Sequence, residues 1–330
     1  MFYKFSIKMC VLCLLFLSVS ALGSSSAPTK FDFDGDGKAD IAVFRPSNGV
    51  WYILGSQKGF SAVQFGQFGD MIVPGDYDGD GKTDPAVYRN GFTEFGVVAD
   101  SVWYILKSSD NTASGVVWGR SDGFSGNRPV PADFDGDRKT DLAILGLNDI
   151  ANAPGVYRIL QNPTGAAISK QWGYAYDKPA LADYDGDGRD DLAVFRASVI
   201  LGNISGTGAG VWLIQQSSNG QTRSVKFGLP TDLVVPADYD GDGKADISVY
   251  RPSNGTWYRI NSNNGSFYAE QFGALEDKPV PADYDADGKA DIAVFRPSNG
   301  TWYIQQASSG FKGQQFGTKE DVPVPNFAVR

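Results

Sequence analysis

The stretch FDFDGDGKADIAVFRPSNGVWYI, residues 31–53, joins two kinds of sequence. Five charged side chains, Asp32, Asp34, Asp36, Lys38 and Asp40, crowd its first ten positions. The remainder reads as buried strand, turn and strand. Standing alone, the stretch admits a metal site, a catalytic carboxylate pair or an acidic turn. Recurrence decides between them, so internal repeats come first.

The acidic segment returns as GDYDGDGKTD at 75, ADFDGDRKTD at 132, ADYDGDGRDD at 182, ADYDGDGKAD at 237 and ADYDADGKAD at 282. The six first aspartates, Asp32, Asp76, Asp133, Asp183, Asp238 and Asp283, are spaced by 44, 57, 50, 55 and 45 residues. Each copy has the same sequel. A short apolar run such as IAVFR is followed by a turn, then by an aromatic run centred on Trp51, Trp103, Tyr157, Trp212, Trp257 or Trp302. A last run ends in an aromatic-Gly pair: Phe65-Gly66, Trp118-Gly119, Trp172-Gly173, Phe227-Gly228, Phe272-Gly273 and Phe316-Gly317. A Pro-containing segment then leads to the next acidic loop.

Each unit therefore holds four short β-prone runs rich in Val, Ile, Phe, Tyr and Trp. The PSNG turns before Trp51, Trp257 and Trp302 set Asn-Gly between two such runs, a hairpin signal because both residues accept positive φ. Nowhere does apolar spacing sustain a helical period. These features predict an all-β chain folded as a β-propeller of four-stranded blades, six by repeat count, with seven as the alternative. Solenoid coils are usually shorter and tandem sandwiches longer. The C-terminal EDVPVPNFAVR, 320–330, repeats the start of another blade without its acidic loop, whereas the first blade's own start, APTKFD, is atypical. A ring latched by its two termini is expected.

The loop spacing is D-x-D-x-D-G-x-x-D. In the first copy the ligand candidates are Asp32, Asp34, Asp36 and Asp40, with the backbone carbonyl of Lys38 between them. Ca²⁺ takes six to eight oxygens, and alternate residues of a tight loop can aim at one centre. Gly37 stands where the chain must bend, and the bidentate Glu of a helical EF-hand is absent. Four aspartates in each of six loops account for 24 of the chain's 38 acidic residues. Carboxylates so close repel unless a cation intervenes. Mg²⁺ suits this crowded geometry less well.

The loop and its DIAVF sequel, six times repeated, resemble the FG-GAP/VCBS repeat family, which includes the integrin α-subunit propeller. The resemblance covers 31–327. It implies one Ca²⁺ per acidic loop, up to six, with the loop joining the first and second strands of a blade. The implied ligands beyond the first copy are Asp76, Asp78, Asp80, Asp84 and the Lys82 carbonyl; Asp183, Asp185, Asp187, Asp191 and the Arg189 carbonyl; Asp238, Asp240, Asp242, Asp246 and the Lys244 carbonyl; and Asp283, Asp285, Asp287, Asp291 and the Lys289 carbonyl. The third quartet, Asp133, Asp135, Asp137 and Asp141, departs from the pattern, since Arg138 replaces the bend glycine and adds a cation. Pro85 and Ala286 read as milder departures. Integrin propellers have seven blades, so the blade number is not inherited from them.

The N-terminus reads as an address. Lys4 and Lys8 precede an apolar run, Met9 to Ser20, and small residues follow, which predicts a secretory signal peptide over 1–23 and a single propeller domain over 24–330. Both cysteines, Cys10 and Cys13, fall inside that signal, so no disulfide framework is expected. The chain has no histidine, which excludes Ser-His-Asp triads, Cys-His nucleophiles and His-ligated metals. The expected protein is secreted or at the cell surface, monomeric, without a membrane span in the mature chain and without nucleic-acid binding, for want of a basic patch.

The turn between the apolar run and the aromatic run varies. Repeats two, three and four carry insertions there of 8, 6 and 10 residues, within 90–102, 146–156 and 197–211. Insertions at one structural place suggest a binding face, with harmless loop growth as the alternative. The recurring arginines, Arg45, Arg89, Arg196, Arg251 and Arg296, suggest structural ion pairs or carbonyl caps, and the tryptophans blade-to-blade packing before sugar platforms. Two functions are expected ahead of others: a Ca²⁺-stabilised module binding an extracellular protein or glycan, and a lectin with pockets repeated between blades. A polysaccharide-active enzyme would need two facing carboxylates. Outside the loops, Glu94, Asp100 and Asp149 lie in or beside the insertions, and Asp70, Asp177, Asp232, Asp277 and Asp321 are among the other unassigned acids.

Overall fold

A run that is apolar at every position has to be covered on both faces. The six IAVFR-type runs, Ile41–Arg45, Ala86–Arg89, Leu142–Gly146, Leu192–Arg196, Ile247–Arg251 and Ile292–Arg296, are strands buried along their whole length except at the last residue. Strands that follow them, such as Val50–Gly55 and Thr301–Gln306, alternate buried and half-buried positions. A last strand is largely exposed, as in Phe267–Gln271. Hydrophobicity thus falls from the inside of each blade outward.

The computed structural model describes residues 30–91, 100–120, 127–146, 153–162, 164–197 and 208–325. The predicted signal peptide and most of the three insertions (92–99, 147–152 and 198–207) lie outside the described residues. Among the described residues there are six four-stranded antiparallel sheets arranged in a ring. In five of them the strands follow chain order. The sixth, blade 1, takes its innermost strand, Val322–Val324, from the C-terminus, and Ala42 pairs with Val324 and Phe44 with Val322. The expected latch is present and the ring has six blades, not seven. No helix among the described residues is long and apolar enough to cross a membrane.

The core lies between blades, in six apolar clusters that each draw on two neighbours. One joins Phe195, Trp212 and Ile214 of blade 4 to Val234, Ile247 and Val249 of blade 5. Another joins Phe44, Trp51 and Val324 of blade 1 to Val87 of blade 2. The recurring aromatics are all buried there. Four of the tryptophans, Trp51, Trp103, Trp257 and Trp302, donate from Nε1 to the carbonyl of the aromatic residue ending the fourth strand, at 2.8–3.1 Å. They are packing residues, with no face left for a sugar. The glycine after that aromatic residue is needed for space: a Cβ at Gly273 would come within 2.6 Å of the Tyr250 hydroxyl.

The outer wall is not six-fold. The fourth strand of blades 5, 6 and 1 carries Phe267, Phe311 and Phe60 at or next to its first residue, and these are 61–65% exposed. The equivalent positions of blades 2, 3 and 4 hold Ala113, Ala167 and Thr222. Each exposed phenylalanine meets an aromatic ring of the preceding blade: Phe267 with Phe227, Phe311 with Phe272 and Phe60 with Phe316, at centroid distances of 6.2–6.3 Å. Three consecutive blades therefore carry aromatic seams, and the other three carry the insertions.

Candidate metal centres

In blades 2–6 the acidic loop links the first and second strands, and in blade 1, whose first strand comes from the C-terminus, it leads into the second; all six are built the same way. The first aspartate holds the turn: Asp238 accepts the Gly241 amide on Oδ1 at 2.6 Å and the Gly243 amide on Oδ2 at 2.8 Å, and the other five loops repeat both bonds. Two positions, not one, then need positive φ. In blade 1 these are Gly35 and Gly37, with φ of 84° and 87°. Arg138 adopts φ 68° at the second and Ala286 φ 62° at the first. Ala286 is therefore strained in the same way as Arg138, which corrects its reading as a mild departure.

The ninth aspartate ties the loop to the rest of its blade. Asp246 Oδ2 accepts the Tyr239 amide at 3.0 Å, and its Oδ1 accepts the Ser262 amide beyond the third strand at 2.7 Å. The pattern recurs at Asp40, Asp84, Asp141, Asp191 and Asp291. Burial outweighs these amides and pushes the carboxyls up, to about 6 at Asp40, Asp84, Asp191 and Asp246 and to about 7 at Asp141 and Asp291. Burial also raises Asp76, Asp133, Asp183, Asp238 and Asp283. A nearby divalent cation would favour the charged forms.

The quartets converge in part. Carboxylate oxygens lie within 4.8 Å of one another in Asp32/Asp34/Asp36, Asp76/Asp78/Asp84, Asp133/Asp135/Asp141, Asp183/Asp185/Asp191 and Asp238/Asp240/Asp246. The fifth-position aspartates Asp80, Asp137, Asp187 and Asp242 stand outside those sets; each accepts an amide from position seven, at 2.9 Å. Oδ1 of Asp34 and Oδ1 of Asp285 are buried with no hydrogen-bond partner. A buried, unpaired carboxylate oxygen is costly unless a cation meets it. The donor set is oxygen alone and strongly anionic, which suits Ca²⁺. These residues fit the ion that the resemblance implies.

One group of contributors was missed from sequence. Serines in the turn between the third and fourth strands donate to the fifth-position carboxylates: Ser56 to Asp36, Ser108 to Asp80, Ser217 to Asp187, Ser262 to Asp242 and Ser308 to Asp287. The third loop has Asn162 instead, whose amide group turns to the Tyr77 carbonyl. The only sequence signal was a Ser two or more residues past five of the six aromatic runs, which is weak.

The five arginines lie on the opposite face and are ion-paired. Arg45, Arg89, Arg196, Arg251 and Arg296 each make a two-pronged pair with Asp321, Asp70, Asp177, Asp232 and Asp277, at 2.7–3.0 Å. Each aspartate also accepts an amide of its own turn at 2.8–2.9 Å. Each guanidinium stacks on a tyrosine at 3.9–4.6 Å. Five unassigned acids are thereby accounted for as structural partners. Glu94 and Asp149 lie outside the described residues. Blade 3 lacks both partners at once: Gly146 stands at the arginine position and Asn127, paired with it across the strands, at the aspartate position. Losing both spares the blade a buried, uncompensated charge.

Comparison with known proteins agrees with this geometry. No curated protein matches the chain. Among solved structures, the chain is similar to BBS1N in complex with ARL6DN, soaked with lead, with 16% identity over 85% of this chain and 79% of that one, at a TM-score of 0.45. It is also similar to a streptogramin B lyase, with 11% identity over 89% of this chain and 87% of that one, at a TM-score of 0.49. These likenesses concern the fold alone. A model of the FG-GAP-like repeat matches residues 32–87, 133–194 and 238–294, more than half of the chain, and each stretch contains two of the six acidic loops described above. The chain belongs to the FG-GAP-like repeat family.

Proposed function

We propose that this chain is a secreted, Ca²⁺-stabilised propeller that acts as a binding or adhesion module for an extracellular protein or glycan, the cation having a structural role. The observation that carries this reading is the contrast between loop and periphery. The acidic loops repeat the same bonds in all six blades, as a scaffold requires. The wall and the inter-strand turns differ by half-ring, as a site for one asymmetric partner requires. The ion-paired acids favour binding over hydrolysis, since a glycosidase needs carboxylates free to face one another. The predicted signal supports export.

The exposed phenylalanine seams at Phe267, Phe311 and Phe60 favour a second reading, a lectin with repeated sites. Those sites would lie on the outer wall, away from the buried tryptophans and the paired arginines. The test has two parts. Calorimetric titration of residues 24–330 with Ca²⁺ should saturate, and EDTA should lower the melting temperature by many degrees; indifference to both would refute the metal reading. A glycan array in millimolar Ca²⁺ then separates the two functions. Sugar binding lost with Phe267→Ser and Phe311→Ser supports the seams. Binding lost on shortening 92–99 or 198–207 supports one asymmetric site.

A further inference from the structure

The six acidic loops are joined to one another. The amide of the eighth loop residue donates to the carbonyl of the first aspartate in the preceding blade: Thr83 to Asp32 and Thr140 to Asp76 at 2.6 Å, then Asp190 to Asp133, Ala245 to Asp183 and Ala290 to Asp238 at 2.7 Å. Ala39 donates to Asp283 at 2.7 Å and closes the circle. Five of these contacts are reinforced by the seventh side chain. Lys82, Lys139, Arg189, Lys244 and Lys289 lie across the first glycine of the preceding loop, so that a Cβ added there would come within 2.6–3.1 Å of them. Lys139 also donates to the Asp78 carbonyl at 2.9 Å.

The donating N–H and the expected metal-ligating carbonyl belong to one peptide group. In blade 2 the Lys82 carbonyl and the Thr83 N–H are the two ends of a single planar unit. In a trans peptide they point in opposite directions. Fixing the N–H on the preceding blade therefore turns the carbonyl away from that blade, where its own loop can use it. A cation drawing on that carbonyl polarises the peptide and strengthens the N–H bond to the neighbour. The acceptor of that bond is the first aspartate of the neighbour's loop, whose carboxylate is itself a ligand candidate.

We infer that each metal site is completed by the preceding blade, and that Ca²⁺ occupancy is coupled between adjacent loops through the peptide joining positions seven and eight. The inference rests on the calcium reading above. It makes the first-position carbonyls of Asp32, Asp76, Asp133, Asp183, Asp238 and Asp283 positioning groups for the next site round the ring. Coupling should be strongest between neighbours and absent across the ring.

The experiment uses residues 24–330 with the fifth loop disabled by Asp240→Asn. Amide hydrogen exchange is followed as Ca²⁺ is added, using the position-eight amides as one reporter per loop. The midpoints at Asp190 and Ala290, in the flanking loops, should move to higher Ca²⁺ by roughly fivefold, while Thr83 in the opposite loop keeps its midpoint. Asp78→Asn asks the same of Ala39 and Thr140, with Ala245 as the unmoved reference, should the first variant fail to fold. Loss of one site with every other midpoint unchanged would overturn the coupling and leave the calcium reading intact. An equal shift at all loops would overturn it too, as general loosening. Absence of any Ca²⁺-dependent protection in the unmodified chain would overturn both.

Discussion

Blades 5, 6 and 1 differ from blades 2, 3 and 4 on their outer wall and in the turn between the second and third strands. The first group has PSNG turns and exposed phenylalanine seams. The second has inserted turns and Ala or Thr at the seam positions. Yet both groups bury an aromatic residue at the same place in the third strand, and both tie the ninth aspartate to the same two amides. Interior positions face a neighbouring blade and must match it, so they vary little. Wall and turn positions face water and are free to diverge. The difference between the halves is therefore one of periphery laid over a common frame.

The largest effect is expected where the frame is closed. Deleting residues 322–330 removes the innermost strand of blade 1, including the fully buried Val324, and exposes the edge formed by Ala42, Val43 and Phe44. Thermal unfolding followed by circular dichroism should show the melting temperature falling by more than about 10 °C, several kcal/mol for a chain of this size. If the halves share one cooperative frame, the intact ring melts in one transition. Two transitions in the intact ring would show that the halves are separate units and break the comparison at its root.

A smaller effect separates blade 3 from the rest. Arg296→Gly leaves the Asp277 carboxylate buried without its cation, at a cost of about 3–5 kcal/mol. Adding Asp277→Asn reproduces the arrangement of Gly146 and Asn127 and should recover at least half of that loss. Urea denaturation of the two single variants and the double variant measures the coupling directly. Additive losses would mean that blade 3 did not lose its two charges as a linked pair.

The ring was legible in the sequence because its period is fixed by closure: each IAVFR run, hairpin turn and aromatic-Gly pair had a counterpart in every other copy. The acidic loops were legible for the same reason. The arginines were recognisable as structural, but their partners were not. Asp70, Asp177, Asp232 and Asp277 lie 19 residues before their arginines, on the far side of an acidic loop, and Asp321 lies 276 residues after Arg45. Only the fold brings them together. The hydrogen-bonded circle through the loops was equally invisible, since it uses backbone groups that any residue supplies. The phenylalanine seams escaped notice because a lone exposed Phe in a strand carries no signal until its neighbour across the seam is known.

The smallest effect tests strain against charge. Arg138 and Ala286 both hold positive φ where other loops have glycine, and each costs about 1–2 kcal/mol in backbone energy, offset in part by the lower entropy of the unfolded chain. Arg138→Gly and Ala286→Gly should each therefore stabilise the protein by roughly 0.5–1 kcal/mol. The first exchange forfeits no packing at Cβ, since a Cβ at the equivalent Gly37, Gly81, Gly188, Gly243 and Gly288 meets nothing within 4 Å. The two variants part company on metal affinity. Arg138→Gly also removes an exposed cation from beside the Asp133, Asp135 and Asp141 carboxylates, so Ca²⁺ should bind the third loop a few-fold more tightly at low salt. That gain should fade as ionic strength rises. Ala286→Gly changes no charge and should show no salt-dependent gain. Equal salt dependence in both variants would mean that backbone strain, not the arginine's charge, sets the third site apart.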